Sequence, residues 1–116
     1  MQERHKNSEL YFNEQVTTTK KYVIPFIHAI KPITEATSVL EIGCGEGGNL
    51  KPFVDLGCKR VVGIDLSQSK IANAIKFFEK HPNKEYVQFI LSDIYLIENI
   101  GQFDLIIMRD VIEHIQ

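Results

Sequence analysis

Between Val39 and Leu50 the chain reads VLEIGCGEGGNL, a short apolar run that breaks at an acidic residue into glycines and then resumes a helical pattern. Such a stretch predicts a strand, a tight turn and a helix. A turn that folds back at the end of a parallel strand needs residues that tolerate positive φ and lack a Cβ where a ligand approaches the backbone. Gly43, Gly45, Gly47 and Gly48 supply four such positions within six residues.

The remainder of the chain repeats this alternation. Apolar runs at Ser38 to Ile42, Arg60 to Asp65, Tyr86 to Leu91 and Phe103 to Met108 read as strands. Each is mostly apolar along its length, as expected of parallel strands covered on both faces. Between them, Leu50, Phe53, Val54 and Leu56 form a helical stripe that ends at Gly57, a natural residue just past a helix. Pro52 fits if that helix begins close to Asn49. Ser67 is a good N-cap for a helix carrying Ile71, Ala74, Ile75 and Phe78, and His81-Pro82 stops it. Strand, helix, strand, helix, strand implies crossovers that build a parallel sheet. Upstream, Asn7 to Ile30 has helical spacing, and Pro25 divides it into two helices or one kinked helix. Lys31-Pro32 ends the second piece. No internal repeat, low-complexity tract or interdomain linker interrupts this order, so one domain over 1–116 is expected, with a helical segment over 1–33 and a core over 34–116.

Composition narrows the classes of function. At 116 residues, 44% hydrophobic and 24% charged, the chain fits one soluble globular domain. Its net charge of −2, with Lys and Arg scattered, leaves no basic stripe for nucleic acid, which is therefore not indicated as a partner. No apolar segment approaches the roughly 20 residues of a membrane span, and the N-terminus leads into no secretory apolar core, so a cytoplasmic chain is expected. Cys44 and Cys58 fit neither a zinc nor a thioredoxin spacing and read as free thiols. No metal site is expected.

Two templates fit the glycine turn. Gly43, Gly45 and Gly48 satisfy the G-x-G-x-x-G spacing of dinucleotide-binding folds, which place a pyrophosphate at a helix N-terminus. Glu41, Gly43, Gly45 and Gly47 satisfy an acidic-x-G-x-G-x-G pattern, through which the chain resembles the class I S-adenosylmethionine-dependent methyltransferases. Charge separates the two readings. A pyrophosphate is poorly placed beside Glu41 and Glu46 with no Lys or Arg in the turn, whereas nearby carboxylates stabilise a sulfonium and an ammonium.

The resemblance runs from about Ser38 to the C-terminus and has further stations. Asp65 ends the second strand, 22 positions after Gly43, where a carboxylate can accept both ribose hydroxyls of a nucleoside. Its plainer role is that of a turn residue or helix cap. The resemblance implies that Leu66 is an apolar contact for adenine and that Ser92-Asp93-Ile94 reads the adenine edge. Asp93 would accept from the exocyclic amine, while Ile94 would donate its backbone amide to the ring and pack against it. It also implies that Met108 to Ile115 lines the methionine end of the pocket, with Arg109 acting through its carbonyl. Glu41, Gly43, Cys44, Gly45 and Gly47 complete the expected cofactor set, and Cys44 also reads as a small residue that simply fits. Asp110 and Glu113 read first as a capping box. His114 is the one weak candidate proton acceptor, and a partly exposed helix histidine without catalytic function is the preferred reading of it. Tyr11 and Phe12 could lie over the cofactor, but packing of their helix on the sheet is preferred.

The expected fold is thus α/β, a three-layer Rossmann-like sandwich with N-terminal helices and a parallel sheet in the order 3-2-1-4. The family's later strands, which complete a seven-stranded sheet in the order 3-2-1-4-5-7-6, are absent. A fragment is expected, or a chain completed by a partner, with a route to a homodimer through the exposed edge of the fourth strand. The resemblance implies S-adenosylmethionine as cofactor, S-adenosylhomocysteine as product and a small-molecule acceptor. A nicotinamide-dependent oxidoreductase and a non-catalytic module that pairs through its sheet edge remain the alternatives.

Overall fold

The computed structural model describes residues 2–94 and 100–108, with side chains from Asn7 onward. Helix α1 spans Gln2–Thr18, starting before the expected Asn7, and a π-helical turn, Thr19–Val23, joins it to α2, Ile24–Ile30. Pro25 does divide the segment. It has no N–H to give to the preceding turn, and the helix widens just upstream into the π-helical turn, where Ile24 N–H donates to Thr19 O.

Four parallel strands come next: β1 Ser38–Ile42, β2 Arg60–Asp65, β3 Val87–Leu91 and β4 Leu105–Ile107. Their order in the sheet is β3-β2-β1-β4, as expected, and each neighbouring pair is parallel. Strands β1 and β2 have the expected bounds. β3 begins one residue late because Tyr86 closes a 3-10 turn over Lys84–Tyr86. β4 ends one residue before Met108 and begins two residues after Phe103, the later start for two reasons. Phe103 lies under the Arg60 guanidinium, 4.1 Å from ring centre to Cζ, and Asp104 accepts from the Ser38 backbone N–H at 2.8 Å instead of extending the strand.

Helix α3, Lys51–Asp55, connects β1 to β2, and Gly57 beyond it has φ 86°. Helix α4, Gln68–Phe78, connects β2 to β3, and the Ser67 hydroxyl caps it by accepting from Lys70 N–H at 3.3 Å. Alternation along the strands divides the core in two. Val39, Val61 and Ile107 point to the face on which Phe12, Leu50, Phe53, Val54, Ile71 and Phe78 of the helical layer are buried. Leu40, Val62 and Ile64 point the other way, against Ile42, Ile90, Ile94, Ile100 and Phe103.

The helical layer is tied together by aromatic rings. Phe12 of α1 packs on Phe77 and Phe78 of α4, with centroids 4.7 and 5.9 Å apart, and Phe78 packs on Phe89 of β3 at 5.3 Å. Each such pair contributes about 0.5–1.5 kcal/mol beyond its buried area. Phe12 is therefore core, as preferred from the sequence, while the neighbouring Tyr11 is exposed. Among the described residues no helix is long and apolar enough to cross a membrane.

Candidate ligand site at the carboxyl ends of the strands

In an open parallel sheet, ligands bind beyond the carboxyl ends of the strands, near the point where the strand order reverses. Here the chain steps from β1 to β2 to β3 and then returns to the far side of β1 for β4, which puts that point at β1. The glycine turn leaves β1 and folds across the end of β2. Gly43 N–H and Cys44 N–H both donate to Ile64 O, at 2.8 and 3.0 Å, and Gly45 N–H donates to Asp65 Oδ2 at 2.8 Å. The other Asp65 oxygen, Oδ1, accepts from Ser67 N–H at 2.8 Å. Asp65 thus ties the turn to the start of α4 and has a fixed orientation. Each oxygen of a carboxylate has a further lone pair, so this role leaves acceptor capacity for a ligand hydroxyl.

Beside Asp65 lies a cavity of about 280 Å³ lined by Ile42, Gly43, Ile64, Asp65, Leu66, Ser92, Asp93 and Ile94. Its volume is at the small end for ligand clefts, which run from about 300 to 1,000 Å³. The walls are aliphatic, and two carboxylates converge on them. Leu66 at the rim keeps 73% of its surface exposed, which leaves an apolar side chain available to a planar ligand. Ser92 N–H donates to Asp65 O at 3.0 Å, joining the β3 end of the cavity to the β2 end.

Six residues named from the sequence, Gly43, Asp65, Leu66, Ser92, Asp93 and Ile94, therefore surround one cavity. The others lie elsewhere. Glu41 points into the helical layer, fully buried, and accepts from Asn49 Nδ2 at 2.8 Å, so it acts from behind the turn and not from the cavity wall. Cys44 is also buried, and its sulfur fills the space above Gly63, where a Cβ would come within 2.8 Å of it. Gly45, at φ 57°, is the turn glycine with nothing within 4 Å of a would-be Cβ. Gly47 serves packing, because a Cβ there would come within 2.9 Å of the Phe89 ring. Glu46 accepts from Asn73 Nδ2 of α4 at 2.7 Å. Arg109 and His114, with Asp110 and Glu113, lie outside the described residues.

Three further contributors, Gly63, Asn49 and Thr19, are not among the site residues expected from the sequence. Gly63 was readable, since a glycine inside a strand signals a close approach, in this case by Cys44 and Leu50. Asn49 looked like the start of a helix, and Thr19 is the last of three successive threonines with nothing to set it apart.

Comparison with known proteins agrees with this architecture. A family model described as a methyltransferase domain matches residues 12–116. The chain belongs to the methyltransferase-domain family. A relative of this methyltransferase domain is the mitochondrial ubiquinone biosynthesis O-methyltransferase of Dictyostelium discoideum, 34% identical over 90 residues, which are 70% of this chain and 28% of that protein. The mRNA cap guanine-N(7) methyltransferase of Saccharomyces cerevisiae is 33% identical over 63 residues, 54% of this chain and 14% of that protein. The methyltransferase domain thus spans under a third of the length of these curated relatives. Among solved structures, magnesium protoporphyrin IX methyltransferase from Synechocystis PCC 6803 with bound S-adenosylmethionine shares the fold. It superimposes with a TM-score of 0.65 at 23% identity, over 83% of this chain and 44% of that one.

Proposed function

We infer that this chain forms the S-adenosylmethionine-binding portion of a methyltransferase that acts on a small-molecule acceptor. The observation that carries this reading is the lining of the cavity, which among the described residues combines aliphatic walls with the Asp65 and Asp93 carboxylates and has no Lys or Arg. That acceptor set fits a nucleoside, and the adjoining turn, with Glu46 and neither Lys nor Arg from Gly43 to Gly48, disfavours a pyrophosphate. Asp65, already oriented by two backbone amides, would accept from the ribose hydroxyls. Leu66 and Ile94 would flank the adenine, with Asp93 accepting from its exocyclic amine. When bound, S-adenosylmethionine supplies a methyl group already activated by its sulfonium.

The protein's own contribution is then to bind, orient and exclude water, and such positioning contributes several kcal/mol. The scattered positive charge and net charge of −2 favour a small acceptor over a nucleic acid. So does similarity to the ubiquinone O-methyltransferase over more of the chain than to the cap methyltransferase. Calorimetry on the 116-residue chain with S-adenosylhomocysteine and with NADH tests the reading. Binding of the former alone is expected, and a preference for NADH overturns it.

A further inference from the structure

A second set of buried polar groups lies behind the glycine turn, away from the cavity. Asn49 Oδ1 accepts from Thr19 Oγ1 at 2.8 Å, and Asn49 Nδ2 donates to Glu41 Oε2 at 2.8 Å. All three side chains are buried. The direction of the chain follows from its end: a carboxylate accepts, so the amide presents Nδ2 to Glu41, which leaves Oδ1 to accept from the Thr19 hydroxyl. Thr19 opens the π-helical turn, Asn49 ends the glycine turn and Glu41 belongs to β1. One residue earlier, Gly48 lies so close to α1 that a Cβ would come within 2.7 Å of the Phe12 carbonyl oxygen. The N-terminal helical segment therefore grips the turn at two successive residues, while Asp65 holds its opposite flank through Gly45 N–H.

Resting on the function inferred above, we propose that Thr19 and Asn49 are positioning residues for the ligand site. Through Thr19–Asn49–Glu41, the N-terminal helical segment holds the glycine turn where Gly45 N–H meets Asp65 and where Asp65 is presented to the cavity. Neither Thr19 nor Asn49 lines that cavity. Ligand affinity is thereby governed from a helical segment on the far side of the turn.

The test uses the 116-residue chain with Thr19→Val, which keeps the shape and removes the hydroxyl, and Thr19→Ser, which restores it. Three quantities are compared: S-adenosylhomocysteine affinity by calorimetry, hydrogen exchange of the Gly45 amide, and the thermal midpoint. Loss of one buried hydrogen bond transmitted to the site predicts affinity about fivefold weaker in Thr19→Val, with faster Gly45 exchange and near wild-type behaviour in Thr19→Ser. A Thr19→Val chain with a lowered midpoint but wild-type affinity and exchange overturns the proposal, since it leaves Thr19 only a structural role. If Thr19→Val fails to fold, Thr19→Ala carries the same readouts. If the wild-type chain binds no S-adenosylhomocysteine, the function inferred above falls and Gly45 exchange decides alone, with acceleration sustaining the positioning role and no change overturning it.

Discussion

The two ends of the sheet are built by different means. At the amino end, strands are fastened by exposed side chains reaching across to backbone. Ser38 Oγ accepts from Asp104 N–H at 2.9 Å while Asp104 accepts from Ser38 N–H, and Arg60 donates to the carbonyl of Gln102 at 2.9 Å. At the carboxyl end, the turn is held by close packing against rings and backbone on one side, and on the other it borders a cavity. On the function inferred above, weakening the amino end should leave a ligand undisturbed, whereas changes in the glycine turn and at Asp65 should affect both stability and binding.

Gly47→Ala probes the contrast most severely. The new methyl group would meet the Phe89 ring at 2.9 Å in a residue held at φ 86°, so clash and backbone strain together should cost about 3 kcal/mol, read by urea unfolding. A loss below about 1 kcal/mol would mean that the turn can shift and that packing does not hold it.

Asp65→Ala comes next. It removes the acceptor shared by the turn, α4 and the inferred ribose contact, and should weaken S-adenosylhomocysteine binding more than tenfold, on the scale of about 1.5–3 kcal/mol for hydrogen bonds to a charged group. Unchanged affinity would take Asp65 out of the site.

The gentlest probe lies at the opposite end. Ser38→Ala should cost about 1 kcal/mol of stability and leave affinity untouched; a change in affinity would break the division between the two ends. The same pair carries a pH signature. The Asp104 carboxyl is held below its ordinary 3.8 by the Ser38 backbone N–H first, then by the Ser38 hydroxyl and the Lys31 ammonium. A carboxylate more acidic in the native than in the unfolded chain contributes stability above that ordinary value and loses it as the pH falls below it. Acid unfolding of Asp104→Asn should lack this part of the pH dependence.

Much of this was legible in the chain. β1 and β2 were legible to the residue, because an apolar run whose acid lies two positions before a glycine or a capping serine marks both the end of the strand and the kind of turn beyond it. The cavity residues were legible because they sit at strand ends, where sequence position and spatial position coincide. What escaped depends on contacts across the fold. Glu41 is expected beside the ligand from the acidic-x-G-x-G-x-G pattern and from its charge, but alternation along β1 turns it toward the helical layer, where Asn49 Nδ2 donates to it. Thr19 and Asn49 are 30 positions apart and meet only because the N-terminal helical segment crosses the glycine turn, which no local pattern reveals. The expected bounds of β4 missed because Phe103 and Asp104 fit a strand equally well until Arg60 and Ser38 are brought beside them.

Gly47 and Gly48 are wedged on two flanks, by the Phe89 and Phe78 rings and by the Phe12 carbonyl with Gln15. A segment gripped in this way has no slack, so its length is fixed as firmly as its composition. A single residue inserted between Gly43 and Asn49 would have to displace a ring or lift a helix.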